Sequence, residues 1–287
     1  MTALRELRSL GNSVVLRWTV AALGLVLVLS VTQELARPET TDLISAGTAE
    51  ATLRRAVPIL LAGLGGIWAE RAGVVNIGLE GMMILGGWFG AWGALEFGPW
   101  WGIVIGIAGG AAGGLLHAVA TVGFGVDHII SGVAINILAP ALARFLSREV
   151  FAQRPGGGIT QSPRVDSVGD VDVVFLSGGD LFGWTTPDLF GWVDDRGWFL
   201  VSDLCAVLSG ITSDVSWATL LALALVPASV VILWRTSIGL RIRAAGEHPV
   251  AADSLGVNVY RMKYLAVVVS GGLAGFGGAF IAIEQTG

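Results

Sequence analysis

The whole chain contains one cysteine, Cys205. An internal disulfide is therefore excluded, and so is a cysteine-rich metal site. The three histidines, His117, His128 and His248, are scattered, and no His-Glu-x-x-His pair of metal ligands occurs. The sequence Gly-x-x-x-x-Gly-Lys-Ser/Thr is missing, so this chain cannot hold ATP in a P-loop. No nucleophile elbow is present, and an enzyme reading has no catalytic residue to stand on. Lysine occurs once, as Lys263, and no basic tract suits a nucleic acid. Charged residues make up only 14% of the chain, against about 25% in soluble domains. Too few charges are available to cover a water-facing surface.

What is abundant points to lipid. Hydrophobic residues are 54% of the chain, and mean hydropathy is +0.74. Several apolar runs approach the roughly 20 residues that cross a bilayer. The 42 glycines are costly in a water-soluble helix but let membrane helices approach closely. Nine prolines fit broken helices, which survive in a membrane when neighbours satisfy the freed backbone groups.

The apolar runs are 14–31, 56–69, 72–95, 100–124, 129–146, 217–234 and 264–283. The first is read as a retained span rather than a signal peptide, since no small-residue cleavage site closes it. The fold class is thus all-α, a polytopic transmembrane helical bundle of about seven spans forming a single membrane domain over 1–287. The second run stops at Glu70 and Arg71 and resumes at Ala72, which predicts a discontinuous helix near residues 70–81. The run 106–114, "GIAGGAAGG", has small residues at helical spacing for close helix contact. Residues 149–216 carry ten acids and three arginines. They read as a large aqueous loop with a short re-entrant helix at 198–211. Basic residues gather at Arg5 and Arg8 and again in 235–263, so these segments are expected on the cytoplasmic side and 149–216 outside. Counting spans from a cytoplasmic N-terminus gives the same sides.

Three motifs remain. In "ERAGVVNIGLEGMM", Glu70 to Met83, a helix would put Asn76 and Glu80 on one face, and Gly73, Gly78 and Gly81 would admit a ligand or another backbone. Intramembrane ionisable groups usually face a cavity or a partner. Glu80 therefore either lines a solute path or pairs with Arg71. In "DHIISGVAINILA", Asp127 to Ala139, Asp127 is placed to cap the helix, and Asn136 adds polarity to an apolar span. In "GLRIRAAGEHPVAADSLGVNVYRMK", Gly239 to Lys263, a short helix starts at Pro249 and ends near Gly256.

These motifs, in this order and spacing, resemble the permeases of ABC importers for branched-chain amino acids and monosaccharides. They are most similar to the subgroup for nucleosides and simple sugars that works with a basic-membrane-protein-type lipoprotein. The resemblance covers about residues 55–287. It implies a membrane-spanning permease subunit that translocates a nucleoside or simple sugar across the cytoplasmic membrane. The implied partners are a second permease subunit, two ABC ATPase subunits that bind the ATP, an external substrate-binding lipoprotein and membrane lipid. No cofactor or metal of its own is implied. Asn76, Gly78, Glu80, Gly81 and Asn136 are the expected substrate path. Gly246, Glu247, Ala251, Ala252, Asp253 and Gly256 match the coupling segment that sits in an ATPase cleft. Alternatives are a secondary transporter or channel acting alone, a branched-chain amino acid permease, or a structural subunit. The external loop is longer than the subgroup leads one to expect. Its members continue beyond the position of Gly287, so a C-terminal truncation is expected.

Overall fold

The computed structural model describes residues 45–171, 201–213 and 215–285, with short stretches at 16–18, 20–21, 24–28, 31–32, 180–181, 184–185 and 189–194 and the single residues 196 and 198. Of the first predicted run, the described residues 16–18, 20–21, 24–28 and 31–32 are helical. The basic residues Arg5 and Arg8 lie outside the described residues. The chain divides into two compact units, residues 1–53 with 170–215 and residues 54–169 with 216–287.

The larger unit is an all-helical bundle. Helix α1 is Ala46–Arg71, of which residues 46–53 belong to the smaller unit, and α2 is Leu79–Phe97. Gly98, at φ +93°, turns the chain directly into α3, Pro99–Ala118, with proline in its first turn where the missing N–H costs nothing. A π-helical turn, Val119–Gly123, extends α3. Helix α4 is His128–Val150, and Asp127 caps it as its sequence position predicts. Its Oδ1 accepts from the backbone N–H of Ile129 at 2.8 Å and of Ile130 at 3.2 Å.

The smaller unit contains helix α5, Leu189–Asp194, and helix α6, Val201–Thr212. A helix is thus present at Val201–Thr212, over most of the stretch 198–211 where one was expected. Residues 180–181 pair antiparallel with 184–185.

Helix α7, Trp217–Arg235, follows in the bundle. Then come α8, Ser237–Glu247, and α9, Pro249–Ser254, which ends before Gly256 at φ +80°. Helix α10 is Val259–Phe280, continued by a π-helical turn to Gln285. It starts five residues earlier than its apolar run, because Asn258 caps it by accepting from Arg261 N–H at 2.9 Å. Tyr260, Arg261 and Lys263 form its polar first turns.

Among the described residues, four helices are long and apolar enough to cross a membrane: 99–123, 128–150, 217–235 and 259–285. Helices α1 and α2 complete the bundle around them. A seam of glycines joins α2, α3 and α10. A Cβ at Gly110 would collide with the backbone of Gly271 and Gly275, one at Gly114 would lie 2.6 Å from Val267 O, and one at Gly86 would strike Gly275. In lipid, where apolar side chains gain little by leaving the solvent, this close backbone packing supplies the attraction. Phe276, Phe280, Leu61 and Ile283 fill the core beside it. Trp68 Nε1–H donates to Ser229 Oγ at 3.0 Å and ties α1 to α7.

The bundle has two recognisable ends. At one, residues 72–78 meet the start of α4 and the α8–α9 segment. At the other, Arg154 pairs with Glu96, Gln285 Nε2–H donates to Arg54 O at 2.8 Å, and Glu284 Oε1 accepts from Val168 N–H at 3.0 Å.

Candidate functional site

The expected break near 70–81 is a full interruption. Helix α1 stops at Arg71, residues 72–78 are turn and extended chain, and α2 starts at Leu79. Gly73, at φ +75°, makes the turn, a conformation that a Cβ would disfavour. The extended chain then climbs alongside α4. Its contacts pass from His128 to Gly132 and then Ile135, so α2 begins inside the bundle rather than at its edge.

Side chains from three other helices hold this segment. The backbone N–H of Val75 donates to His128 Nδ1 at 3.3 Å. The carbonyl of Val75 lies 3.2 Å from His117 Nε2, and Ser131 Oγ lies 2.9 Å from His117 Nδ1. That pattern assigns the ring proton to Nε2, which donates to the carbonyl, while the hydroxyl donates to Nδ1. Asn76 is buried. Its Nδ2–H donates to Ser270 Oγ at 2.9 Å on α10, and its Oδ1 accepts from Gly78 N–H at 3.1 Å. Asn136 clamps the start of α2, accepting from Gly81 N–H at 2.8 Å and donating to Ile77 O at 2.9 Å.

This geometry corrects one expectation. Asn76 and Glu80 do not share a helix face, because Asn76 precedes the helix. The spacing of four has meaning only where the backbone is helical, and the Gly73 turn delays the helix. Gly78 and Gly81 also serve packing: a Cβ on Gly81 would stand 2.7 Å from Ile135 O, and one on Gly78 would stand 3.4 Å from Gly132 Cα. Of the five expected path residues, Glu80 alone is among those that line the large cavity.

That cavity has a volume of about 1240 Å³ and is walled by α2, α4, α10 and residues 155–164. Helix α2 presents Glu80, Ile84, Gly87, Trp88 and Ala91 to it, a spacing that follows one helical face. Helix α4 adds Arg144 and Ser147. Glu80 sits in the first turn of α2, where the helix dipole favours a carboxylate. It forms no ion pair with Arg71, whose guanidinium stacks over the Trp234 ring at 5.3 Å. Trp88 is fixed, with its Nε1–H donating to Ser147 Oγ at 3.0 Å and its ring stacked on Phe151 at 5.2 Å. Sequence reading missed Trp88, Arg144 and His117. Trp88 lies eight residues after Glu80 and so on the same helical face, which was the available signal.

At the other functional surface, the residues matched to a coupling segment stay together. Gly246 lies in the last turn of α8 with its Cα against Gly73, so a Cβ on Gly73 would stand 3.1 Å from it. Glu247, Ala251 and Asp253 are exposed, and Ala252 is buried beneath them. Val250 is 82% exposed and Leu255 85%, an apolar edge beside Gly256. A smaller cavity of about 360 Å³ lies under α9, between Val74, His128, Asp253 and Lys263. Among the described residues no cluster of three or more potential metal ligands occurs.

A bundle of lipid-crossing helices, with an interrupted helix that brings Glu80 to a largely apolar cavity, fits a multi-pass membrane protein of the transporter class. Residues 48–287 match the family described as branched-chain amino acid transport system / permease component, and the chain belongs to that family. It is 36% identical over 242 residues to a guanosine ABC transporter permease protein of Bacillus subtilis, covering 81% of this chain and 66% of that protein. It is 35% identical over 237 residues to a nucleoside ABC transporter permease protein of Lactococcus lactis, covering 80% and 65%. It is 33% identical over 245 residues to a putative glucose ABC transporter permease protein of Haloferax volcanii, covering 83% and 63%. The chain thus spans a little under two thirds of the length of these curated relatives. No solved structure matches it.

Proposed function

We propose that this chain is a membrane-spanning permease subunit of an ATP-driven importer that carries a nucleoside. The carrying observation is Glu80, in the first turn of a helix that starts inside the bundle and borders the 1240 Å³ cavity. A carboxylate within a span costs about 2.5–3.5 kcal/mol on insertion scales, and ribose hydroxyls are suitable donors to it. Helices interrupted at mid-bundle are the usual builders of solute sites in transporters. Trp88 favours a nucleoside over a simple sugar, since a fixed indole offers stacking to a planar base. The chain supplies no ATP site. Its partners are a second permease, two ABC ATPases and an external binding lipoprotein.

The same segment links the solute cavity to the ATPase. An ATPase docked on α9 would push on Gly246, Gly246 abuts Gly73, and residues 74–78 lead to Glu80. The segment is held at Val75, Asn76 and Ile77, so displacement at one end reaches the other with little slack. Residues 236–258 are cytoplasmic in this reading and 149–216 external.

Uptake of radiolabelled guanosine by the reconstituted complex, with ATP inside and glucose as competitor, tests the reading. Guanosine import that glucose does not suppress supports it. Suppression by glucose favours a sugar importer, and import without ATP overturns the reading.

A further inference from the structure

Helix α6, Val201–Thr212, is apolar but has only 12 residues. That is about 18 Å of helix, well short of the roughly 30 Å hydrocarbon core. Its two faces differ sharply. Ser202, Ala206 and Gly210 are buried, and the Gly210 backbone meets Ala46 O within the same unit. On the other side Val201, Leu208 and Ile211 are each close to half exposed, and Leu204 is partly exposed. The spacing 201, 204, 208, 211 makes one continuous outward stripe.

Two observations fix what covers this stripe. First, Thr212 precedes Trp217, the first residue of the membrane-crossing α7, by five residues. Five residues reach about 18 Å at most, so the C-terminal end of α6 is tethered to the bilayer surface. Second, the approach to α6 carries an exposed aromatic cluster. The Arg196 guanidinium sits 3.9 Å from the Trp192 ring centroid and 5.9 Å from that of Trp198. Both indoles are 51% exposed. Tryptophan and arginine with one apolar and one wet side are the residues that settle at the headgroup level. The sequence from 188 to 203 holds four aspartates against this single arginine, so an anionic lipid surface is a poor match and a zwitterionic one a good match.

We propose that α6 is an interfacial anchor. It lies along the membrane surface with its Val201–Leu204–Leu208–Ile211 stripe in the headgroup–acyl boundary of the leaflet that α7 enters, and the Trp192–Arg196–Trp198 cluster sits at headgroup level. The occupant of the apolar face is lipid. The anchor holds the acidic segment down on the membrane surface.

The lone cysteine makes the test direct. In the full chain, reconstituted in phosphatidylcholine nanodiscs, Cys205→Ser removes the native thiol. Leu208→Cys and, separately, Asp203→Cys are then labelled with an environment-sensitive nitrobenzoxadiazole dye. The label at 208 should be quenched about twofold more by lipid carrying a nitroxide at acyl carbon 5 than at carbon 12, as for a helix seated about 5–10 Å deep. It should also be shielded from aqueous iodide, whereas the label at 203 should be open to it. Ile211→Cys gives the same readout should Leu208→Cys fail to assemble. Iodide access at both stripe positions overturns the proposal. So does stronger quenching at carbon 12, which means deep insertion, or shielding that appears only on adding the binding lipoprotein, which means a protein-docking face.

Discussion

Gly246 and Gly73 meet backbone to backbone, with no space for a side chain on either. A Cβ on Gly246 would overlap the Arg71 carbonyl and stand 2.8 Å from Gly73 N. The segment proposed to meet the ATPase therefore rests directly on the turn that leads to Glu80. Gly246→Val forces the two apart, an overpacking that costs about 1–3 kcal/mol. Uptake per assembled complex should fall about tenfold or more, the ratio that 1.4 kcal/mol represents. Glu247→Arg leaves this contact intact but reverses an exposed charge at the docking surface. It should weaken the response of ATPase activity to solute while the protein stays in the membrane. Wild-type uptake and stimulation in both variants would remove 246–256 from coupling.

Asn76 and Ser270 should behave as a pair. Each loses a buried hydrogen-bond partner when the other becomes alanine, at about 1–3 kcal/mol. The double variant should be less destabilised than the sum, with a coupling near 1 kcal/mol, read from thermal unfolding in detergent. Uptake per folded complex should respond alike in Asn76→Ala and Ser270→Ala. A selective loss in Asn76→Ala would return that residue to the solute path.

Glu80→Gln keeps the shape of the cavity wall and removes its charge. Uptake per folded complex should drop about tenfold, the scale of one charge-assisted hydrogen bond at 1.5–3 kcal/mol, without loss of assembly. Arg71→Gln should not restore it, because Arg71 stacks on Trp234 and not against Glu80. Rescue by the double variant would mean that the two pair in another state of the transporter.

Trp88→Leu should raise the KM for a nucleoside by about five- to tenfold, within the 1–3 kcal/mol that base stacking on an aromatic contributes. Trp88→Phe should fall between. Inhibition by free ribose, which has no base to stack, should be unchanged. Equal effects on ribose and nucleoside would assign Trp88 to the shape of the cavity and not to the base.

Orientation is testable with single thiols in a Cys205→Ser background. A cysteine at Asp166, exposed near the Arg154–Glu96 end, should react with an impermeant reagent from outside. One at Glu247 should react only after permeabilisation. The opposite pattern inverts the topology.

Local chemistry was the most legible part of the fold. Asp127 announced its cap and Pro249 with Gly256 bracketed a short helix, because each signal acts on its own few residues. The helix break near Glu70 and Arg71 was legible too, from a charge pair inside apolar sequence. The path between the break and Glu80 was not. Residues 72–78 read as part of an apolar run, and the Gly73 turn and the tertiary hydrogen bonds to His117, His128, Asn136 and Ser270 keep them extended. The same holds for Asn136, which holds the start of α2 through the Ile77 carbonyl, 59 positions earlier in the chain. Glu80 was found in the sequence by its charge alone. The cavity it borders needed four separated segments to converge.

The glycine seam also sets the timing of assembly. Helix α3 ends at Ala118 and α10, which closes against it, begins at Val259. At about 5–20 residues per second, the ribosome takes roughly 7–28 s to make the 141 positions between 118 and 259. During that interval Gly110 and Gly114 lack the α10 backbone they pack against, and lipid cannot fill a groove shaped for a backbone. A nascent chain stalled before α10 therefore presents an open groove to the membrane, and membrane quality-control proteases that sample loosely packed helices have their best opportunity in that window.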